Sequence, residues 1–254
     1  MTYRKLILAA TAILFTGASH AIVNMEELHT GEPKPGFSTQ LELSLSGSSG
    51  NTDKQEYNLG ARLQWHKDSV TNYLLLSGSQ GESNDVKNTE KGFLHARHMR
   101  RLTPIVTAEG YAQTEYDKFA RLEYRGLLGG GVRLSLLPHA EKSEAYLGLG
   151  AYYSEERIDD SFADGGNESL WRLNSYLVLK YPASDNTTLV STTYYQPALD
   201  DTDDYRLMEQ AAMKVKVNDT TSLIISVDYR LDNRPPLGVE KEDVSYRTTL
   251  SLEF

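Results

Sequence analysis

The sequence contains no cysteine, which excludes a disulfide framework, a zinc-thiolate site and a lipid-modified N-terminal cysteine. It has little positive charge, with 26 Lys and Arg against 35 Asp and Glu, and this balance argues against binding to nucleic acid. Beyond its N-terminus it also lacks any run of about 18 uninterrupted apolar residues, the least that a membrane-spanning helix requires. Stability must therefore come from backbone pairing and from the burial of side chains.

The first residues are typical of a secretory signal peptide. Arg4 and Lys5 precede an apolar run over residues 6–18, and the Ser-His-Ala tripeptide at 19–21 has small residues at the two positions that a signal peptidase reads. The apolar run is too short to cross a bilayer as a helix, which takes about 20 residues. We therefore expect cleavage after the tripeptide, followed by a periplasmic lead-in segment over residues 22–36.

The rest of the chain alternates between segments rich in Tyr, Leu, Val and Thr and clusters of Asn, Asp, Gly, Pro and Ser. This pattern is typical of strands joined by turns. The period of two is clear near the C-terminus, where Tyr246, Leu250 and Leu252 share one face and Arg247 and Ser251 share the other. The predicted strands lie near residues 37–46, 56–66, 69–79, 89–101, 104–116, 120–137, 143–156, 168–181, 187–197, 204–217, 220–231 and 243–254.

These strands approach or exceed the 9–11 residues that a tilted membrane-spanning strand takes. The predicted fold is all-β: a transmembrane, antiparallel, up-and-down β-barrel of about twelve strands over residues 37–254. Barrels of this kind have short periplasmic turns and longer outer loops. We expect tight turns at 67–68, 103–104 and 218–219, a short connection at 138–142, and longer polar connections at 46–55, 80–88, 157–167, 198–203 and 232–242.

The chain ends on Phe254, with apolar residues at alternate positions behind it. A terminal aromatic residue on an alternating strand resembles the signal that the barrel assembly machinery of the outer membrane reads. We expect Tyr246, Leu250, Leu252 and Phe254 to form that signal. The expected partners are this machinery together with outer-membrane lipids and lipopolysaccharide.

Three stretches point to a family: LSLSGSSGNTDKQEYNLGARLQW (43–65), RLEYRGLLGGGVRLSLL (121–137) and DNRPPLGVEKEDVSYRTTLSLEF (232–254). Together they resemble the YdiY-like family of salt-induced outer-membrane proteins. The resemblance implies a β-barrel in the Gram-negative outer membrane with a link to salt or osmotic stress. It assigns no catalytic, cofactor or metal residues.

Charged residues on the face opposite the apolar one are the candidate functional residues, because in a membrane-embedded barrel that face lines the lumen. The lumen-lining candidates are Arg62, Arg121, Glu123, Arg125, Arg133, Arg172, Arg206, Asp228, Arg230 and Arg247. Opposite charges at this density can form a salt-bridged plug or border a narrow water channel. For the three glycines at 129–131, strand bending and close packing in the lumen are both open.

No catalytic residue, cofactor or metal site is predicted. His66, His95, His98 and His139 each lack a serine two residues later, a spacing often found in barrel enzymes of the outer membrane. The preferred function is a structural or channel-like envelope barrel. The alternatives are an enzyme that modifies lipid or lipopolysaccharide and a soluble periplasmic ligand-binding β-protein.

Overall fold

The computed structural model describes residues 35–48, 54–140, 142–161 and 163–254. The predicted signal peptide and almost all of the lead-in segment lie outside the described residues, and so do residues 49–53 within the first of the three family-like stretches. Gly36, expected in the lead-in, already belongs to the first strand. Among the described residues no helix is long and apolar enough to cross a membrane.

The described residues form twelve antiparallel strands that close into a barrel, which confirms the predicted fold. Each strand pairs with its neighbours in the sequence, and the first strand pairs with the last. The strands are β1 (Gly36–Ser48), β2 (Lys54–Lys67), β3 (Val70–Ser83), β4 (Val86–Arg101), β5 (Val106–Asp117), β6 (Leu122–Ser135), β7 (Glu144–Ile158), β8 (Gly166–Pro182), β9 (Thr187–Pro197), β10 (Tyr205–Lys216), β11 (Thr221–Asp232) and β12 (Glu242–Glu253).

Side chains alternate between the two faces of the wall, as β8 illustrates. Arg172 and Asn174 are buried inside the barrel. Leu173, which lies between them in the sequence, is exposed on the outside, and so are Trp171 and Leu179. This is the reverse of a soluble protein, in which the apolar face turns inward. The outer face therefore needs a nonaqueous neighbour.

The barrel has two rims. The terminal rim is where β1 begins and β12 ends, and the loop rim is the opposite one. On the outside of β8, Trp171 and Tyr181 are ten positions apart, roughly 33 Å along an extended strand. With a strand tilt of about 40°, this distance corresponds to an apolar band of about 25 Å between aromatic residues, the height typical of membrane barrels.

One predicted connection is wrong. The polar stretch 80–88, expected to be a long loop, is mostly strand, because β3 continues to Ser83 and β4 begins at Val86. Asn84 and Asp85, with φ angles of 51° and 62°, form the two-residue link between them. Positive φ at both central residues is the type I′ geometry, which suits the twist of a hairpin and which Asn and Asp tolerate.

The other connections also differ in length from the simple short-and-long pattern. The loop rim carries longer connections at 159–165, 198–204 and 233–241, close to three of the predicted loops. The terminal rim carries an eight-residue connection at 136–143, longer than the predicted one. The connections at the two rims therefore differ less in length than expected.

The seam between β1 and β12 has a short ladder. It consists of four residue pairs, in which Gln40–Leu43 face Leu250–Glu253, and Thr39 and Phe254 extend it by reciprocal backbone hydrogen bonds of 2.9 and 2.8 Å. The ladder between β12 and β11 has eleven pairs. Among the described residues, the backbone ladders thus hold β12 on both sides only near the terminal rim, and beyond the seam ladder the Ser44 hydroxyl donates to the Thr248 carbonyl at 3.0 Å.

Candidate functional site in the barrel lumen

Glu156 on β7 is the centre of a buried ionic cluster. Its Oε1 accepts a hydrogen bond from Arg206 Nη1 at 2.8 Å and lies 2.8 Å from Arg125 Nε. Its Oε2 accepts from Arg125 Nη2 at 2.9 Å and from Arg206 Nη2 at 3.1 Å. Arg125 is on the adjacent strand β6, but Arg206 is on β10, three strands away. One carboxylate therefore joins two guanidinium groups across the lumen.

Two further carboxylates complete this cluster. Arg125 Nη1 donates to Glu115 Oε1 at 2.7 Å, and Arg206 Nε donates to Asp232 Oδ2 at 2.9 Å. The side chains of all five residues are at most 7% exposed. Because water is excluded, each charge depends on its partners rather than on solvent, and loss of one partner leaves a buried charge uncompensated.

A second polar cluster ties β5 to β8 across the lumen. Tyr176 donates its hydroxyl to the two carboxylate oxygens of Glu109 at 3.0 and 2.9 Å, and Asn174 Nδ2 donates to the Tyr111 hydroxyl at 2.8 Å. Arg97 lies 3.5 Å from Glu109 and 5.4 Å from the centroid of the Tyr111 ring. These tyrosines fill the lumen and also satisfy its polar groups.

Glycines on β6 and β7 make room for the lumenal tyrosines. A Cβ atom at Gly129 would lie 2.6 Å from Tyr152 Cβ and 2.7 Å from the Tyr111 ring. A Cβ atom at Gly148 would overlap the Tyr176 ring. Any larger residue at these positions would force the rings to move. Close packing in the lumen is therefore the role of Gly129, one of the three consecutive glycines.

The middle of the lumen is occupied by side chains. Tyr176, Val178, Tyr194 and Met208 form a buried apolar cluster with at most 3% exposure. On the opposite wall, Gln40 Nε2 donates to Ser251 Oγ at 2.9 Å within the lumen. The barrel interior contains a cavity of about 120 Å³ toward the loop rim and another of about 490 Å³ at the terminal rim.

The structure brings most of the ten predicted lumen residues inside. The buried ones are Arg62, Arg121, Arg125, Arg133, Arg172, Arg206 and Asp228. The half-buried ones, Arg230 and Arg247, border the smaller cavity. Arg172 makes a two-pronged contact with Asp204, at 3.0 and 2.8 Å, and the Arg133 guanidinium stacks 3.9 Å above the Tyr146 ring.

Glu123 is not in the lumen, so the prediction that it lines the lumen is wrong. The pairing of β6 shifts by one residue between Leu122 and Tyr124, so that Glu123 is the extra residue of a β-bulge. A bulge interrupts the alternation of faces. Leu122 and Arg125, three positions apart, are consequently both buried, and Glu123 is exposed.

Arg121 has a different role from the strand residues, because it joins three connections at the loop rim. It follows a 3₁₀ turn, Lys118–Ala120, with φ of 59°. Its Nη1 donates to the Leu237 carbonyl at 2.6 Å and its Nη2 to the Asp159 carbonyl at 3.0 Å, and Nη2 lies 2.9 Å from Asp164 Oδ1. The Leu237 amide and the Arg121 guanidinium lower the pKa of Asp164, because both bind its charged form.

The acidic partners of the cluster were missed by the sequence analysis. Glu109, Glu115 and Glu156 are buried in the lumen, and so is Asp232. The signal was present, since Glu109 and Glu115 share the parity of Tyr111 on β5. The alternation predicts which face of the sheet a residue lies on, but it does not predict which residue it contacts across the lumen.

The outer face contains the residues of the expected assembly signal and one unexpected carboxylate. Tyr246, Leu250 and Phe254 are exposed there. Glu209 also points outward, between the buried residues 208 and 210 of β10. It accepts hydrogen bonds from the Ser191 and Thr193 hydroxyls of β9. These two bonds satisfy a carboxylate that faces the apolar surroundings.

Three of the described histidines lie within hydrogen-bond distance of uncharged side chains. His66 Nδ1 lies 2.8 Å from Thr71 Oγ1, His95 Nδ1 lies 3.0 Å from Gln113 Oε1, and His98 Nδ1 lies 2.9 Å from Asn72 Oδ1. In the part of the chain that the structure describes, no group of three or more His, Asp or Glu side chains is arranged to hold a metal ion.

The family model described as "Protein of unknown function, DUF481" matches residues 41–254. Among solved structures, the NanC porin is 12% identical, with a TM-score of 0.50 over 85% of this chain and 98% of that one. The translocator domain of the autotransporter NalP from Neisseria meningitidis is also 12% identical, with a TM-score of 0.49 over 88% and 89%. At this identity the likeness to the porin shows the fold alone. No curated protein matches the sequence.

Proposed function

The chain belongs to the DUF481 family of proteins of unknown function, and on that premise we propose that it is a structural β-barrel of the outer membrane with a closed lumen. The observation that carries the proposal is the filled lumen. Glu156, Tyr176, Val178 and Met208 are at most 3% exposed, so these side chains are packed on all sides within the barrel. A barrel filled in this way stiffens the envelope without conducting ions.

The outer surface supports a place in the outer membrane. Leu173 and Leu179 are exposed between Trp171 and Tyr181, as the lipid face of a membrane barrel requires. Lipids and lipopolysaccharide are the proposed partners of this band. The barrel assembly machinery is the proposed partner of the strand that ends at Phe254. The link to salt or osmotic stress is proposed from the resemblance to the YdiY-like proteins.

Two measurements test the location and the barrel together. The mature protein is expected in the outer-membrane fraction, and in SDS without boiling its band is expected to migrate differently from the boiled sample. A soluble band that does not shift would contradict the proposal and favour a periplasmic ligand-binding protein.

A narrow pore is the second candidate, favoured by the cavities of about 120 and 490 Å³ in the two halves of the lumen. Conductance in planar bilayers separates the candidates. We expect no steady current, because the ionic cluster fills part of the lumen toward the loop rim and the tyrosines fill part of it nearer the middle of the strands. A stepwise current that scales with the amount of protein would replace the closed barrel by the pore.

The proposal gives the barrel no catalytic role. Lipid extracts incubated with the purified protein are expected to remain unchanged in chromatographic mobility and mass. A modified lipid would instead support the enzyme alternative.

A further inference from the structure

The smaller lumenal cavity, of about 120 Å³, lies toward the loop rim. Its wall includes Lys91 from β4, Arg230 from β11 and Arg247 from β12. Three cationic side chains, two of them from the neighbouring strands β11 and β12 and one from the distant strand β4, thus border one partly open cavity. A water molecule needs a cavity volume of roughly 10–15 Å³, so this cavity has room for a small ion with several waters.

Lys91 makes no hydrogen bond and no ion pair among the described residues. Arg230 and Arg247 repel its charge, whereas Asp117 and Glu56 attract it from beyond ion-pair distance. Arg247 has a long contact with Asp228, 3.6 Å. Like charges gathered in a region of low dielectric repel strongly unless an anion joins them.

The carboxylates near Lys91 and the cavity have other partners. Glu115 is bound to Arg125 at 2.7 Å, and Asp228 accepts a hydrogen bond from the Gln210 side chain. Glu42 accepts from Gln40 at 3.2 Å. Asp117 accepts from two backbone amides of the 3₁₀ turn. The fifth, Glu56, accepts from Asn58 at 3.3 Å. None of these carboxylates forms an ion pair with Lys91.

We propose that this cavity binds a small oxyanion, a carboxylate or phosphate group, between Lys91, Arg230 and Arg247. Guanidinium groups present paired donors that match the oxygen spacing of both groups, and an ammonium adds a point charge. The site is independent of the proposed envelope role, since it requires only the lumenal geometry.

The oxyanion has two possible sources. A free ion would enter from the loop rim. An anionic lipid headgroup would enter from the side, because the ladder between β1 and β12 stops at Leu43 and Leu250, beside Ser44 and Thr249 of the cavity wall. Past that point a hydrogen bond of 3.0 Å from the Ser44 hydroxyl to the Thr248 carbonyl links the two strands. Both sources present the same chemistry to Lys91.

Equilibrium dialysis of radiolabelled inorganic phosphate against the full-length barrel in neutral detergent micelles tests the site, at constant ionic strength set with chloride. The wild type is expected to bind phosphate saturably at one site. Lys91→Gln is expected to weaken binding at least tenfold. The matched control is Lys87→Gln on the same strand, because the Lys87 side chain is 69% exposed, and this variant is expected to bind as the wild type does. Arg247→Gln is the second variant, in case Lys91→Gln does not fold.

Phosphatidic acid micelles distinguish the sources. Displacement of labelled phosphate by phosphatidic acid supports a lipid headgroup, and phosphate binding that phosphatidic acid does not displace supports a free ion. Equal phosphate binding by the wild type and both the Lys91 and Arg247 variants would overturn the proposal, and so would the absence of binding to the folded wild type.

Discussion

Replacement of Glu156 by glutamine removes the central charge of the lumenal cluster. Arg125 and Arg206 then keep only Glu115 and Asp232, and the new amide group turns a donor toward guanidinium donors. Breaking a buried ion pair lowers the free energy of unfolding by about 3–5 kcal/mol. Because each arginine retains one carboxylate, we expect the lower end, about 3 kcal/mol, which corresponds to roughly a 100-fold change in the folding equilibrium.

Urea unfolding in detergent micelles, followed by tryptophan fluorescence, measures this effect. Glu155→Gln is the matched control, because Glu155 is the neighbouring residue and its side chain is exposed on the outer face. An exposed substitution of this kind is expected to change stability by less than about 0.5 kcal/mol. Coinciding unfolding curves for the two variants would refute the idea that one carboxylate holds two buried guanidinium groups.

Three other perturbations follow from the geometry. Gly148→Ala places a methyl group against a lumenal tyrosine ring and should lower the urea concentration at the unfolding midpoint. Gly78→Ala, whose new methyl group has no atom within 4 Å, should leave the midpoint unchanged. Equal midpoints for the two variants would contradict the close packing at Gly148. The lowered pKa of Asp164 means that its bond to the Leu237 amide is intact above the ordinary value of 3.8 and is lost as pH falls below it. Hydrogen exchange of that amide, corrected for intrinsic rates, should lose protection only below that value, and loss near pH 6 would be inconsistent. Deletion of Phe254 should reduce the amount of barrel in the outer membrane, as immunoblots of fractions would show; unchanged amounts would remove its proposed role in assembly.

The strands were predictable because each strand has one polar face and one apolar face, which imposes a period of two on the sequence. The first and last strands show this most clearly, and their predicted positions agree with β1 and β12 to within a few residues. The hairpin at Asn84 was not predictable from polarity. Polar residues such as Gln80 and Ser83 extend the strands beyond the apolar band, where composition no longer separates strand from loop.

The candidate site was predictable only as a face of the sheet. Alternation placed Arg125 and Arg206 in the lumen, but it did not join them to Glu156, which is 31 and 50 positions away, respectively. Such partners depend on the size and stagger of the closed barrel. The misplacement of Glu123 has a local cause, since a single bulged residue changes the parity of everything on one side of it.

The short seam has a consequence for β12 itself. In an antiparallel strand, successive amides point to the two neighbouring strands in turn. Over residues 242–249, the amides that point to β11 are in a ladder, whereas those that point to β1 have no ladder partner among the described residues. Slow and fast amide exchange should therefore alternate along this stretch, so that the period of two that marks β12 in the sequence reappears in its exchange rates.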